Sequence, residues 1–105
     1  MHVEAPEQTV TIGRGGASHK VDVRIDSSAD ISREHLAIRR DPSGRFYVSD
    51  FSMLGTTVNG QRVPRGYDEV DGVRARNGVE TPLPSPARIG LADLVFLDFE
   101  ILSGS

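Results

Sequence analysis

Cysteine and tryptophan are both absent from these 105 residues. Without a thiol there is no disulfide framework and no thiolate metal site, which fits a reducing compartment; a cytoplasmic location is the expectation. The three histidines, His2, His19 and His35, make no ligand pair at helical spacing, so neither a metal nor another cofactor is expected. Long apolar runs are missing too. The longest, Leu94-Val95-Phe96-Leu97, falls far short of the roughly twenty residues of a bilayer-spanning helix, and residues 1–8 have no basic stretch leading into an apolar one, so neither a membrane span nor a secretory signal is expected. Lysine is nearly missing: Lys20 stands alone beside eleven arginines. Arginine's planar fork suits phosphate and carboxylate, but codon usage is the better account of such a bias, and composition alone does not point to phosphate. The net charge of −3 and the small aromatic fraction of 6% argue against a nucleic-acid partner, which would call for a basic stripe with aromatics for stacking.

What the chain does have is period-2 alternation interrupted by turn residues. Val10 and Ile12 alternate with polar neighbours before Gly13-Arg14-Gly15-Gly16 breaks the run. Val21, Val23 and Ile25 alternate with Asp22 and Arg24, as a half-buried strand would. Residues 36–48 read as a hairpin, with Leu36 and Ile38 on one arm, Phe46-Tyr47-Val48 on the other and Asp41-Pro42-Ser43-Gly44 as the turn. Asn59-Gly60 between Thr57-Val58 and Arg62-Val63 is a strong hairpin signal, because both central residues of a type I′ turn need positive φ. Asn77-Gly78 suggests another. Val95, Leu97, Phe99 and Ile101 alternate to the end. Only residues 29–34 and 92–94 have a pattern that could turn helically. The expected fold is therefore an all-β sandwich of two antiparallel sheets in a single domain over 1–105, with its core in about 9–102. Residues 64–88, polar and holding Pro82-Leu83-Pro84-Ser85-Pro86, read as a long surface excursion, with room for one small hairpin.

Two catalytic readings fail on the same residues. Residues 13–20 form a glycine-rich stretch but lack the Gly-Lys-Ser/Thr ending of a nucleotide loop and lead into a strand, not a helix. Ser32 and His35 have no nucleophile elbow and no orienting acid that is not arbitrary. The chain is read as a non-enzyme with no catalytic residue.

Four motifs then occur in one order: Thr11-Ile12-Gly13-Arg14 at a strand end; Ile31-Ser32-Arg33-Glu34-His35 opening another; Asp50-Phe51-Ser52-Met53-Leu54-Gly55-Thr56; and Val58-Asn59-Gly60. Ile89-Gly90-Leu91-Ala92-Asp93 follows as a last turn. Together they resemble the forkhead-associated (FHA) domain family, whose pattern is Gly-Arg, then Ser-Arg-x-His, then Asp-x-Ser-(Ser/Thr)-Asn-Gly-Thr-x-(Val/Leu)-Asn-Gly. The resemblance implies a sandwich with binding loops at one end and a phosphothreonine-peptide partner written by a Ser/Thr kinase, in signalling. It implies that Arg14 and Ser32 contact the phosphate, that Arg33 adds a second cation, and that Ser52, Met53 and Leu54 complete the phosphopeptide site. Gly13, His35, Gly55, Thr56, Asn59 and Gly60 would be its scaffold, with His35 bracing the loop. His19 and Lys20 sit in the loop after Arg14, within reach of a ligand. The chain departs from the pattern at Met53-Leu54, where the family has (Ser/Thr)-Asn. Losing those one or two hydrogen bonds would weaken binding by about 1–3 kcal/mol. The same exposed pair motivates an alternative, a degenerate FHA fold that docks partners without phosphate. The sequence sets no oligomeric state.

Overall fold

A computed structural model describes residues 8–16, 21–26 and 30–101. It is built of strands: β1 (Gln8–Gly13), β2 (Val23–Arg24), β3 (Leu36–Arg40), β4 (Phe46–Asp50), β5 (Thr56–Val58), β6 (Gln61–Arg62), β7 (Tyr67–Val70), β8 (Val73–Arg76), β9 (Thr81–Pro82), β10 (Ala87–Leu91) and β11 (Val95–Phe99). No helix occurs among the described residues. One sheet has the order β2-β1-β3-β4-β9, a second has the order β11-β10-β5-β6, and β7 with β8 forms a separate two-stranded hairpin.

Alternation makes the two larger sheets a sandwich. Leu36, Ile38 and Val48 from one sheet meet Val58, Ile89 and Leu91 from the other, all buried, with Ile31 and Leu83 filling in from connections. Phe46 of β4 and Phe99 of β11 meet edge to face at 5.2 Å. Each such large apolar side chain stabilises by about 1.5–3 kcal/mol when buried. Leu83 in this core shows that residues 64–88 are not wholly a surface path. They supply β7, β8 and β9 as well, and β9 pairs with β4.

Three local expectations are corrected. The 21–25 alternation yields only the two-residue β2, with Val23 exposed, because β2 is a sheet edge; it pairs parallel to β1, so this sheet is mixed. Asn77-Gly78 does not turn a hairpin. The turn lies at Asp71-Gly72, flanked by the facing pair Val70 and Val73, and Asn77 instead closes the hairpin base by donating its N–H to the Gly66 carbonyl at 3.1 Å. Residues 92–94 make a tight strand turn in which Ala92 and Asp93 both have positive φ. The Asn59-Gly60 turn is as expected, with φ of 52° and 85° between β5 and β6.

Candidate functional site

The site grows from the end of β1. Gly13 passes so close to the 31–35 connection that an added Cβ would lie 2.3 Å from the Arg33 carbonyl oxygen, so a side chain there would force the two segments apart. That contact is fixed by backbone hydrogen bonds: Arg14 N–H to the Ser32 carbonyl at 2.9 Å, Gly15 N–H to the Arg33 carbonyl at 2.9 Å, and His35 N–H to the Ile12 carbonyl at 2.9 Å. Arg14 is further held by its Nε, which donates to the Ile31 carbonyl at 3.0 Å. Both of its terminal amines stay unpaired among the described residues.

His35 joins this connection to the next. It is fully buried. Its Nδ1 accepts from the Ser32 N–H at 3.1 Å, so the ring proton sits on Nε2, which donates to the Gly55 carbonyl at 2.9 Å. Burial is the main cause that pushes its pKa below the ordinary value, the Gly55 bond and the Asp50 charge only partly opposing, so the ring is a neutral brace. The 50–56 loop has its own knot. Asp50 Oδ1 accepts from the Ser52 N–H at 3.1 Å, the Ser52 hydroxyl at 2.5 Å and the Thr56 hydroxyl at 2.7 Å. Ser52 Oγ in turn accepts the Gly55 N–H at 2.7 Å. Ser52, expected among the ligand-contacting residues, is thus fully buried with its hydroxyl committed inside the loop; it belongs to the scaffold.

The two loops meet at Ser32. Its hydroxyl oxygen accepts the Met53 N–H at 3.1 Å, which leaves the hydroxyl proton free to donate. Arg14, Ser32 and Arg33 then line one side of a cleft of about 780 Å³, and Met53 and Leu54 stand at its rim, 64% and 52% exposed. Asn59 and Gly60, expected as site support, are at the far end of β5 from Thr56. Asn59 there exchanges hydrogen bonds with Arg88 at 2.8 and 2.9 Å and ties the turn to β10, not to the cleft. His19 and Lys20 lie outside the described residues.

A further wall comes from residues 64–88, where the sequence left room for a small hairpin but did not place it at the site. It is the β7–β8 hairpin, which presents Tyr67, Arg74 and Arg76 to the cleft above Phe51. The Tyr67 hydroxyl donates to the Ser52 carbonyl at 2.8 Å, and the Gly66 N–H donates to the Asp50 carbonyl at 2.7 Å. The guanidinium of Arg76 lies 4.3 Å over the Phe51 ring and pairs with Glu34; that of Arg74 lies 4.6 Å over the Tyr67 ring. The local signals were the alternation of Val73 and Ala75 with Arg74 and Arg76 and the turn residues Asp71-Gly72; the polar composition of the segment masked them.

The cleft therefore offers unpaired cationic and hydroxyl donors on a rigid floor, a set suited to a dianionic, oxygen-rich group. The described residues contain no cluster of metal-ligating side chains.

No curated protein matches this sequence closely enough to count as a relative. Solved structures do. The N-terminal FHA domain of S. cerevisiae Rad53p, in complex with a phosphothreonine peptide, is 21% identical over 91% of this chain and 68% of that one, with a TM-score of 0.66. EmbR of Mycobacterium tuberculosis, in complex with a low-affinity phosphopeptide, is 24% identical over 92% of this chain, with a TM-score of 0.66; the match takes in only 21% of the EmbR chain. The FhaA FHA domain, complexed with the intracellular domain of Rv3910, is 27% identical over 86% of this chain and 78% of that one, with a TM-score of 0.58. The family model described as "FHA domain" matches residues 10–80, from the middle of β1 through the hairpin and the whole candidate site, and the chain belongs to the FHA domain family.

Proposed function

We propose that this chain is a phosphothreonine-peptide-binding interaction module, with Arg14 and Ser32 holding the phosphate and Arg33 adding a second cation. One observation carries the reading. Three donor groups without protein acceptors among the described residues line one side of a single cleft: the terminal amines of Arg14, the hydroxyl proton of Ser32 and the guanidinium of Arg33. Charge-assisted hydrogen bonds to a phosphate contribute about 1.5–3 kcal/mol each, and a floor already hydrogen-bonded before the ligand arrives reduces the ordering cost. The phosphopeptides bound by Rad53p and EmbR support the same reading. The mark would be written by a Ser/Thr kinase, and the module would serve signalling through it.

The test is a titration of phosphothreonine peptides beside their unphosphorylated counterparts. Binding should require the phosphate, and Arg14→Ala should weaken it by at least about 2 kcal/mol, some thirty-fold. Arg14→Lys should recover only part, since an ammonium cannot make two parallel bonds. Leu54→Asn should tighten binding. A second reading, docking without phosphate, is favoured by the exposure of Met53 and Leu54. A partner that binds equally after phosphatase treatment and ignores Arg14→Ala would establish that reading and overturn the first.

A further inference from the structure

The β7–β8 hairpin pairs with neither sheet, yet it forms one wall of the cleft. Its register divides it into two faces. Tyr67 faces Arg76 and Glu69 faces Arg74 on one, while Asp68 with Ala75 and Val70 with Val73 occupy the other. The first face turns two arginines toward the groove that holds the proposed phosphate pole. The groove is lined by Arg14, Arg33, Arg74 and Arg76 against only Asp30 and Glu34, on a chain whose net charge is −3. Basic charge is thus gathered where a ligand would lie, away from the acidic average of the surface.

The two hairpin arginines are also posed to bind. Each guanidinium is stacked on an aromatic ring, Arg76 on Phe51 and Arg74 on Tyr67, and a stacked guanidinium keeps its in-plane N–H groups directed outward. Arg74 has two loose, exposed partners: the Phe51 carbonyl, to which Nη1 donates at 3.4 Å, and Glu69, whose carboxylate lies 3.7 Å from Nε. Contacts of that kind are worth little and give way to a better acceptor. Arg76 uses one amine on Glu34 and retains the others.

We infer that the β7–β8 hairpin is a second anion-reading wall, selecting phosphothreonine peptides that carry a further anionic group beside the phosphorylated residue, received by Arg74 with Arg76. The inference rests on the phosphopeptide reading above and assigns its specificity. The further anion is a carboxylate of Asp or Glu or a second phosphate; the shared chemistry is a planar or tetrahedral group of oxygens that accepts edge-on guanidinium bonds.

The experiment uses the full chain and three phosphothreonine peptides of one length: neutral flanks, Asp and Glu flanks, and neutral flanks with a second phosphothreonine. The wild-type protein should prefer one or both anionic peptides to the neutral one by about five- to tenfold, and added salt should shrink that ratio. In the double variant Arg74→Gln, Arg76→Gln the ratio should fall to about one, while affinity for the neutral-flank peptide and its dependence on Arg14 remain. The Asp/Glu and second-phosphate arms show which source the wall accepts. Equal affinity for all three peptides in the wild type, or a preference that persists in the double variant, overturns the inference and leaves the phosphopeptide reading intact. Loss of the neutral-flank peptide in the double variant also overturns it, because the arginines would then be supporting the whole cleft. If no phosphothreonine peptide binds, both readings fall.

Discussion

The two walls of the cleft are built in opposite ways. On the loop side, His35, Asp50, Ser52 and Thr56 are fully buried, and one histidine and one carboxylate tie residues 32–35 and 50–56 together through bonds of 2.5–3.1 Å. On the hairpin side, β7 buries only Tyr67, β8 is exposed throughout, and its charges are held by ring stacking and surface ion pairs. A buried polar knot has few alternative arrangements, since each broken bond strands a desolvated group; an exposed hairpin can shift its side chains with water substituting for lost partners. Rigidity therefore sits under the proposed phosphate pole and adjustability beside it.

Mutations can break this contrast in graded steps. Asp50→Ala should have the largest effect. It leaves two buried hydroxyls and a buried N–H without their common acceptor, and unfolding in urea should register a loss of about 3–5 kcal/mol. His35→Ala should follow at about 1–3 kcal/mol, because it strands the buried Gly55 carbonyl and Ser32 N–H. The same residue gives the fold a pH dependence. Since the folded state lowers the His35 pKa below the ordinary 6.5, the unfolded chain takes up the proton first as pH falls. Stability should therefore decline from about pH 6.5 down to the lowered folded-state pKa and then level for this group, and His35→Ala should remove that part of the slope. Tyr67→Phe keeps the ring under Arg74 but deletes the bond to the Ser52 carbonyl; about 1 kcal/mol is expected, with the thermal midpoint as readout. The smallest effect belongs to the outer face of the hairpin. Val70→Thr with Val73→Thr, both 66% exposed in the wild type, should change stability by less than about 0.5 kcal/mol per site. A large loss there would mean that the hairpin is as tightly integrated as the loops.

The loop wall was legible in the sequence because its members are consecutive in motifs. Ser32 and His35 are three residues apart, and Asp50, Ser52, Gly55 and Thr56 fall within one turn of chain, so their roles attach to recognisable strings. What the strings did not separate was ligand from brace. Ser52 and Ser32 are both serines beside a strand end, yet one hydroxyl is closed inside the Asp50 knot and the other opens on the cleft. Asn59-Gly60 was correctly read as a turn, but which end of the molecule the turn occupies depends on β5 running away from Thr56. The placement of the hairpin wall was illegible for a different reason. It rests on contacts across long stretches of sequence, Tyr67 with Ser52 and Arg76 with Glu34, which no local pattern encodes.

By itself, the sequence determined the all-β character, the Asn59-Gly60 and 41–44 turns, and the order of the motifs. Alternation and positive-φ residues act over a few neighbours, and their physics is complete at that range. The tertiary structure alone decided that β2 would run parallel along an edge, that Ser52 would be buried while Met53 and Leu54 stayed exposed, and that Arg74 and Arg76 would line one cleft with Arg14 and Arg33. Those outcomes depend on which surfaces exclude water from each other, and that is settled only when both sheets and the hairpin are in place.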